Sequence, residues 1–542
     1  MRARNLEVKK NLIDRAVEFF DPVRGRNRYK ARVQLALAGQ WVGGRKDRQG
    51  TKDWNPPGGS ADEDNLYDLP EMRSRTRDLQ RRSAVALGAT NTNVSSVVGT
   101  GLSLRAIPDA LTLGISPQAA ATWRQGTERK FRAWADNAIA CDLEATLDFY
   151  QQQALAFRSA YDSGDVIALL PYKERKASKY KLKVQLVEAD RLCNRDGKQD
   201  DAQLTSGVAK DSDGAPSAYH IARFHPGAMN VGGEKEWDVV PAFGARTGRR
   251  NVVHLFDKRR PGQTRGVPYL APVIEILKQI SDYTHAELNA AVVAAAFTVF
   301  IESPTGSGLD LDGEGEPQTV QGKSGSDVKM GSGAIIDLAK GEKVSFADPG
   351  RPNAAADVFL TAMMRQLGVA LELPYEILVK HFTASYSAAR AALLEAWRFF
   401  KGRRAWLASM FCQPIYEAWL EEAISIGDVI APGFFDDPLL RAAWAGAEWV
   451  GDAPGQIDPL KEIEAAIKRI DATVSDRTTE TLELRGGDWF DVVERLSMEQ
   501  KLIDERQIRP LTPPAGGGAS APPKKVFPSD DLGKDEEQEE AA

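Results

Sequence analysis

The sequence has few cysteines and no apolar run long enough to span a bilayer. Its three cysteines in 542 residues, Cys141, Cys193 and Cys412, are far apart and form no CxxC pair. This usage is typical of a reducing compartment, and we expect the thiols to be buried packing residues. The longest apolar run, 290–301, is too short for a transmembrane helix, and no apolar segment follows the charged start MRARNLEVKK. We therefore predict a soluble, cytosolic protein without a membrane partner.

Motifs of the common enzyme classes are also missing, since neither HExxH nor GxSxG occurs. The stretch 322–324 ends like a P-loop, but Pro317 stands where the first glycine is required. The acidic residues of 310–314 resemble a calcium loop, but their glycine comes too early for the turn. His220 and His225 are five apart, so on a strand they point to opposite faces. We expect no enzyme activity, no cofactor and no bound metal.

Charge is spread unevenly along the chain. With 42% hydrophobic and 27% charged residues, the composition is that of a soluble globular protein large enough for several cores. The net charge is -6, yet residues 1–50 hold 13 Lys and Arg against 5 acids, and the tail from Ser529 holds seven acids against Lys534. Such ends are usually solvated arms and less often nucleic-acid or partner contacts.

The first half of the chain mixes helical and strand patterns. A basic helix is predicted from Glu71, running into a short strand at residues 97–99, and aromatic-anchored helices follow between 116 and 164. A strand is predicted at 165–170, and alternation then takes over around 180–187 and on both sides of the turn at 211–214, which indicates a β-hairpin. The fold class is therefore α+β, mainly helical.

A long helix is predicted to open at Gly266. Its apolar stripe consists of Leu270, Val273, Ile274, Leu277, Ile280, Thr284, Leu288 and Ala291. About 30 residues at 1.5 Å each would reach about 45 Å, so the helix needs partners along its length, which copies in a ring would supply. A Gly-rich, polar loop follows at 303–329, and strands are predicted at 333–338 and 341–346. Asn353 is placed to cap the next helix, which packs Phe359, Met363, Leu367 and Ala370.

The chain is organised around the stretch 368–411. A helix is predicted to end at Leu373-Pro374, with a loop of about a dozen residues before the next helix. Ser385 or Ser387 is placed to cap that helix, whose packed stripe is Leu393, Trp397, Phe400, Leu407 and Phe411 and which could bend at Gly402. Further on, Asp458 is a good N-cap with Pro459 at the first helical position. The predicted buried stripe there is Leu460, Ile463, Ile467 and Ile470, and nothing is expected to fold beyond Pro510.

Several phrases, in order, resemble the lambda-like portal family of tailed bacteriophages. They are the phrase at 97–101 (VVGTG), 251–256 with 260–268, Tyr375–Leu378 (YEIL), Tyr386–Leu394 (YSAARAALL), and Asp458–Glu462 followed by Thr478, Glu480, Gly486, Asp488 and Trp489. The resemblance covers most of residues 71–508. It departs from the family at Ser385, where Asn is usual, and at Lys380-His381, where an acidic residue is common.

The resemblance implies a ring of about a dozen copies at a unique capsid vertex. Double-stranded DNA would pass through it, driven by a separate packaging ATPase, the terminase large subunit. Other implied partners are the major capsid and scaffold proteins and the head-completion or tail connector proteins, in the virion and, during assembly, in the host cytoplasm. The alternatives are another phage head-completion or scaffold-type ring protein and, less favoured, a DNA-processing enzyme.

The resemblance also implies a portal-type division of the chain. The predicted parts are an N-terminal arm (1–70), a wing (71–265), stem helices (266–301 and 353–373), a clip (302–352), a channel loop (374–386), a long wing helix with its following helix (387–430), a crown (431–508) and a disordered acidic tail (509–542).

Candidate residues follow from this division. Lys380, His381, Thr383 and Ser385 are expected in the channel loop, where Lys380-His381 would form a modest basic collar. Leu270, Ile274, Leu277, Phe359 and Met363 are expected to pack the stem ring. Asp310, Asp312, Glu314 and Lys323 are expected to dock the motor. A conduit must hold DNA weakly, and the chain is indeed not basic overall.

Overall fold

The computed structural model describes residues 12–38, 49–50, 53–176, 178–229, 236–295, 299–302, 343–346, 356–382, 385–455, 458–487 and 489–507. The helices are α1 (Leu12–Phe20), α2 (Pro22–Ala38), α3 (Ala61–Asn65), α4 (Leu69–Arg82), α5 (Ala84–Val97), α6 (Ala110–Leu113), α7 (Pro117–Ala135), α8 (Ala138–Cys141), α9 (Phe149–Ser163), α10 (Ile274–Ala295), α11 (Ala356–Ala370), α12 (Tyr375–Val379), α13 (Tyr386–Leu407), α14 (Gln413–Ser425), α15 (Pro438–Ala445), α16 (Pro459–Asp471), α17 (Arg477–Arg485) and α18 (Trp489–Glu505). The strands are β1 (Ser103–Ala106), β2 (Asp165–Leu169), β3 (Gln185–Val187), β4 (Leu204–Thr205), β5 (Val208–Lys210), β6 (Pro216–Ala222), β7 (Trp237–Pro241), β8 (Val252–Phe256), β9 (Val299–Glu302), β10 (Lys343–Phe346) and β11 (Ala447–Val450). The mainly helical α+β class is confirmed.

The chain divides into two compact units. The first holds residues 1–94 and 131–432, and the second holds 95–130 and 433–542. Among the described residues, no helix is both long and apolar enough to cross a membrane.

The first unit contains two antiparallel sheets, ordered β3-β2-β8 and β4-β5-β6-β7. The predicted hairpin at 211–214 is confirmed, because β5 pairs with β6 and Asp211 Oδ1 accepts from the backbone N–H of Asp213 and Ala215, at 3.0 and 2.8 Å. A shared core is formed by buried Ile167, Val187, Leu192, Val208, Tyr219, Ile221, Ala242 and Val252. Alternating apolar residues on several strands thus bury one common face.

Aromatic side chains from α7, α9 and α14 form a second core in this unit. Phe131 lies 5.2 Å from Trp419 and 5.6 Å from Tyr416 between ring centroids, both edge to face. Phe149 stacks on Phe411 at 6.1 Å. These geometries are favourable for aromatic pairs. The predicted aromatic anchors of the helices are therefore core residues.

One local prediction is wrong, and another helix irregularity lies at an unexpected place. No strand forms at 97–99, because α5 continues to Val97, which is fully buried, and the strand β1 begins only at Ser103. Gly402 does not interrupt α13, which runs on to Leu407. The irregularity is instead a π-helical turn at Ala408–Cys412, just before Pro414, whose missing N–H suits a disturbed hydrogen-bond ladder.

The cysteines match their predicted packing role. Cys141 and Cys412 are buried, Cys193 is half-buried, and all three are free thiols. Burial raises the pKa of Cys141 to about 12, which makes this thiol unreactive at neutral pH.

The second unit pairs β1 with β11 in antiparallel register, Leu104 opposite Trp449. Asp452 accepts from the Thr100 backbone N–H at 2.8 Å and from its hydroxyl at 2.9 Å. The phrase at 97–101 is thereby tied to the segment after β11. The same contact explains the glycine at position 99, since a Cβ on Gly99 would lie 2.0 Å from the Asp452 carboxylate.

Candidate functional site

The helix α10, which is predicted to belong to the stem, is shorter than expected. It begins at Ile274, after a 3-10 turn at Ala271–Val273, and it ends at Ala295. Its 22 residues correspond to about 33 Å rather than 45 Å. The end of the predicted helix is instead the strand β9, which pairs with β10. β10 lies within the predicted strand at 341–346, whereas 333–338 lies outside the described residues.

The residues predicted to pack the stem ring fall into two groups. Leu270 and Leu277 are 0% and 1% exposed within this one chain, and Ile274 is half-buried, so this part of the stripe already has partners in α4 and α11. The expectation that the stripe has no partner in one subunit is therefore wrong for its first half. Phe359 is 49% exposed and Met363 half-buried.

Apolar surface is exposed farther along the two stem helices. Leu288 and Val292 of α10 are 60% and 61% exposed, and Val358 of α11 is 71% exposed. The two helices meet where Phe359 contacts Tyr283, with ring centroids 5.3 Å apart. The free apolar face thus belongs to a packed pair of helices.

The segment between α11 and α13 reverses the chain with two left-handed residues. At the end of α11, Glu372 has φ 53°, and the Leu373 N–H donates to Gly368 O at 2.9 Å. A Cβ on Gly368 would lie 2.5 Å from Leu373 O, so the closure requires glycine there. Leu371 and Leu373 are buried and fix the turn.

The predicted channel loop contains the short helix α12. It ends at Lys380, which has φ 56° and ψ 37°, and the His381 N–H donates to Glu376 O at 3.1 Å. Leu378 is buried, and the Arg365 guanidinium lies 5.7 Å from the Tyr375 ring. The loop is therefore anchored on α11, and its left-handed closure holds a lysine where glycine or asparagine is usual.

This closure places Lys380 and His381 at an exposed tip. Lys380 and His381 are both exposed, and Phe382 is 57% exposed. Ser385 occupies the N-cap position of α13 with extended backbone. Thr383 and the four clip residues Asp310, Asp312, Glu314 and Lys323 lie outside the described residues.

A buried ion network that the sequence did not reveal lies where the stem begins. Asp165, fully buried at the start of β2, accepts from Arg265 Nε at 2.5 Å and from Arg73 Nη2 at 2.8 Å. His254 Nε2 lies 3.2 Å from the same carboxylate. Arg265 also donates to the carbonyl oxygens of Ala189, Leu192 and Ser206 at 2.7 to 2.8 Å. One arginine thus joins β2 to three surrounding segments.

Close backbone packing fixes the neighbouring residues. A Cβ on Gly266 would lie 1.9 Å from Gly164 O, and the Tyr269 N–H donates to Tyr161 O at 2.8 Å. Arg403 of α13 pairs with Asp257 at 3.0 Å and lies over the Tyr269 ring. The family-like phrase at 260–268 therefore attaches the segment that leads into α10 to the sheet of the first unit.

The network fixes the charge of its members. Burial by itself would raise the pKa of Asp165, but the charges of Arg265 and Arg73 outweigh it and hold that pKa well below its usual range. Burial lowers the pKa of His254 more than the hydrogen bond to Asp165 raises it. Burial lowers the pKa of Arg73 to about 10. At neutral pH the network holds an ionised Asp, two charged Arg and a neutral His, which supports a structural role for His254.

Glu188, Asp190 and His225 bring potential metal ligands together. His225 Nε2 lies 3.8 Å from Glu188 and 3.9 Å from Asp190. Its Nδ1 accepts from the Gly227 N–H at 3.0 Å, so a neutral ring carries its proton on Nε2, which faces the carboxylates as a donor. Arg77 also pairs with both carboxylates. The group fits an ion-pair cluster better than a metal site.

The family-like residues between 458 and 486 contribute to the packing of α16 and α17. Asp458 caps α16 with Pro459 as its first residue, which confirms the predicted helix start. Glu480 is buried and accepts from Arg469 Nε at 2.8 Å, which ties α17 to α16. Gly486 has φ 71°, and a Cβ there would lie 2.8 Å from Gly451 O. Asp488 lies outside the described residues.

The predicted buried stripe of α16 is wrong. Leu460, Ile463 and Ile467 are 77%, 47% and 52% exposed, and only Ala466 of this helix is buried. The periodicity identifies an apolar face but not what covers it.

Comparisons with known proteins give a family match and several similar chains. Residues 47–404 match the family described as phage portal protein, lambda family. Portal protein B of Escherichia phage lambda is 26% identical over 488 residues, which cover 86% of this chain and 90% of that protein. The portal protein of Escherichia phage N15 is 26% identical over 489 residues, with the same coverage of both chains. A chain in the solved neck of an empty GTA particle covers 78% of this chain and 94% of its own length, at 11% identity and a TM-score of 0.42.

The family match spans more than half of the chain and includes α10 to α12 and the buried network around Asp165. The chain therefore belongs to the lambda family of phage portal proteins, the ring-forming proteins of the capsid vertex through which the genome is packaged.

Proposed function

We propose that about a dozen copies of this chain form a channel for double-stranded DNA, with the stem helices α10 and α11 packing against those of neighbouring copies. The observation that carries this proposal is the apolar surface of Leu288, Val292 and Val358, which is exposed in one chain. Apolar patches of this kind commonly mark interfaces. The role is structural, and the chain does not itself hydrolyse nucleotide.

The partners proposed from the family are the terminase large subunit at the clip (302–352), the major capsid and scaffold proteins, and the head-completion proteins. The protein would assemble in the host cytoplasm and remain in the virion. In this scheme Asp310, Asp312, Glu314 and Lys323 belong to the docking surface of the motor. Replacing 303–332 by a short Gly-Ser linker should leave rings intact and abolish terminase binding.

Ring packing is tested by placing a charge on the exposed stem surface. Leu288→Glu should leave the subunit folded, because the side chain is 60% exposed, and should abolish rings seen by electron microscopy, because each interface would bury a charge. Leu111→Glu, at a leucine that is 92% exposed in α6, is the matched control and should assemble normally. Rings at normal yield from Leu288→Glu would exclude this surface from the interface.

For Leu277 we expect a loss of subunit stability, in contrast to the loss of assembly that is expected for Leu288→Glu. Because it is buried within the subunit, Leu277→Ala should destabilise the subunit itself by about 2–5 kcal/mol. A variant with normal subunit stability that fails only in assembly would contradict this distinction. Thermal unfolding of the unassembled fraction, beside that of Leu288→Glu, makes the comparison.

We also propose that the exposed tip at Lys380 and His381 lines the channel as a basic collar. Its support is the exposure of both side chains on a loop that is anchored to a stem helix. Lys380→Glu should reduce packaged DNA length or retention more than Lys380→Ala, and the difference should shrink as salt rises. Both variants behaving as wild type at every salt concentration would remove Lys380 from the channel.

A further inference from the structure

Two helices of the predicted crown, α16 and α18, carry apolar surface that the described residues of the chain do not cover. α18 has 17 residues and none of them is buried, although Val493 and Leu496 lie on one side and are 40% and 56% exposed. α16 exposes Leu460, Ile463 and Ile467, which lie three and four residues apart and so share one face. Helices of this length are marginal without tertiary packing. Each helix has contacts within this unit, since Arg469 of α16 pairs with Glu480 and Gln125 donates to Glu494 of α18, but these contacts leave both stripes exposed.

No described residue of this unit covers the two stripes. Its long undescribed segment is residues 508–542, which contain five large apolar residues and six prolines among 35 residues. Such a composition offers too little apolar area to cover two helix stripes. A second copy of the chain, in contrast, brings both stripes to the interface at once.

Ring symmetry decides how two copies can meet. In a closed ring of more than two copies, each contact between neighbours joins two different surfaces of the subunit. A stripe on α18 therefore cannot pair with the same stripe of its neighbour. The chain presents two separate apolar stripes in this unit, which is the arrangement that such a contact requires.

We propose that in the assembled ring α16 of each copy packs against α18 of the next copy, through Ile463 and Ile467 on one side and Val493 and Leu496 on the other. This inference rests on the proposed ring assembly. It places a continuous collar of alternating α16 and α18 helices around the crown. Crown contacts then add to those of the stem in holding the ring together.

Cross-linking with single cysteines tests this arrangement. Ile467→Cys and Leu496→Cys chains are assembled separately and as a mixture, treated with a short bis-maleimide, and compared on denaturing gels. Covalent dimers are expected in the mixture, in several-fold excess over either variant alone. A chain with both substitutions should give a ladder of multimers. Wild type, whose Cys193 is half-buried, and a mixture of Met229→Cys with Leu496→Cys are the controls.

Electron microscopy of the same samples separates the possible outcomes. Intact rings with the expected dimers support the packing of α16 on α18. Intact rings without dimers, dimers from one variant alone, or a cross-link within one chain would overturn it and leave ring assembly standing. An occupant other than a second copy, such as a scaffold protein, would also give rings without dimers. Absence of rings from wild type would overturn both proposals.

Discussion

Replacing Asp165 by asparagine should remove the charge that holds the stem attachment together. The carboxylate accepts from Arg265 and Arg73, lies 3.2 Å from His254 Nε2, and is 3.4 Å from the Gly266 N–H. The side chains of Arg73, Asp165 and Arg265 are 5%, 0% and 1% exposed, so water cannot replace the lost charge. In Asp165→Asn two guanidinium groups would remain buried without a counter-ion.

Removing one partner of a buried ion pair typically costs about 3–5 kcal/mol. The whole stability of a domain is about 5–15 kcal/mol, so this loss would take a large part of it. With an m-value of about 2–3 kcal/mol per molar, the urea midpoint should fall by about 1–2.5 M. The assay is pulsed hydrogen exchange across a urea series, with mass spectrometry of peptides from β2 and β8.

Asp238→Asn is the matched control. Asp238 accepts from Arg223 through both oxygens, as Asp165 does from Arg265, but both side chains are about half exposed. Solvent screens such a pair, and its loss should leave the midpoint close to wild type. Equal midpoints for Asp165→Asn and wild type would refute the argument that the buried network holds this part of the subunit together.

Short-range signals in the sequence predicted local structure well. Asp458 followed by Pro459 marks a helix start, and Asp211 to Gly214 marks a hairpin, because in each case the deciding hydrogen bonds lie within a few residues. The secondary structure of the apolar run at 290–301 was harder to predict, because the periodicity of so few residues does not distinguish the end of a helix from a strand. The strand β9 is decided by its pairing with β10, more than 40 residues away.

The buried network could not be predicted, because its members come from residues 73, 165, 254 and 265. The sequence did contain one signal, namely the carboxylate of Asp165 at the start of an apolar strand. A carboxylate that is buried requires a cation or hydrogen-bond donors beside it. The partner itself depends on the fold. For the stem and crown stripes, the sequence identified apolar faces at Leu277, Leu288 and Ile467 alike. Only the structure separates the first, which the subunit covers, from the other two, which it leaves exposed.

Two further predictions concern pH and glycine. The pKa of His254 is lowered in the folded state, so protonation favours the unfolded chain. The free energy of unfolding should therefore fall as pH drops below about 6.5. A further loss is expected below about 3.9, where Asp165 of the unfolded chain takes up a proton. The variant His254→Gln keeps a hydrogen-bond donor for Asp165 but has no group that titrates. The difference in urea midpoint between pH 8 and pH 6 should therefore be smaller than in wild type. An unchanged difference would assign the pH effect to other groups. Gly402→Ala should stabilise the protein by about 0.5–1 kcal/mol, because a Cβ at this position in α13 meets no atom within 4 Å and alanine lowers the entropy cost of helix formation. Gly266→Ala is the opposite case, since its Cβ would lie 1.9 Å from Gly164 O, and backbone on both sides leaves no flexible side chain to move away. Thermal unfolding should therefore raise the melting temperature for Gly402→Ala and lower it for Gly266→Ala, and equal melting temperatures for the two variants would show that the backbone contact between Gly164 and Gly266 does not constrain the start of the stem.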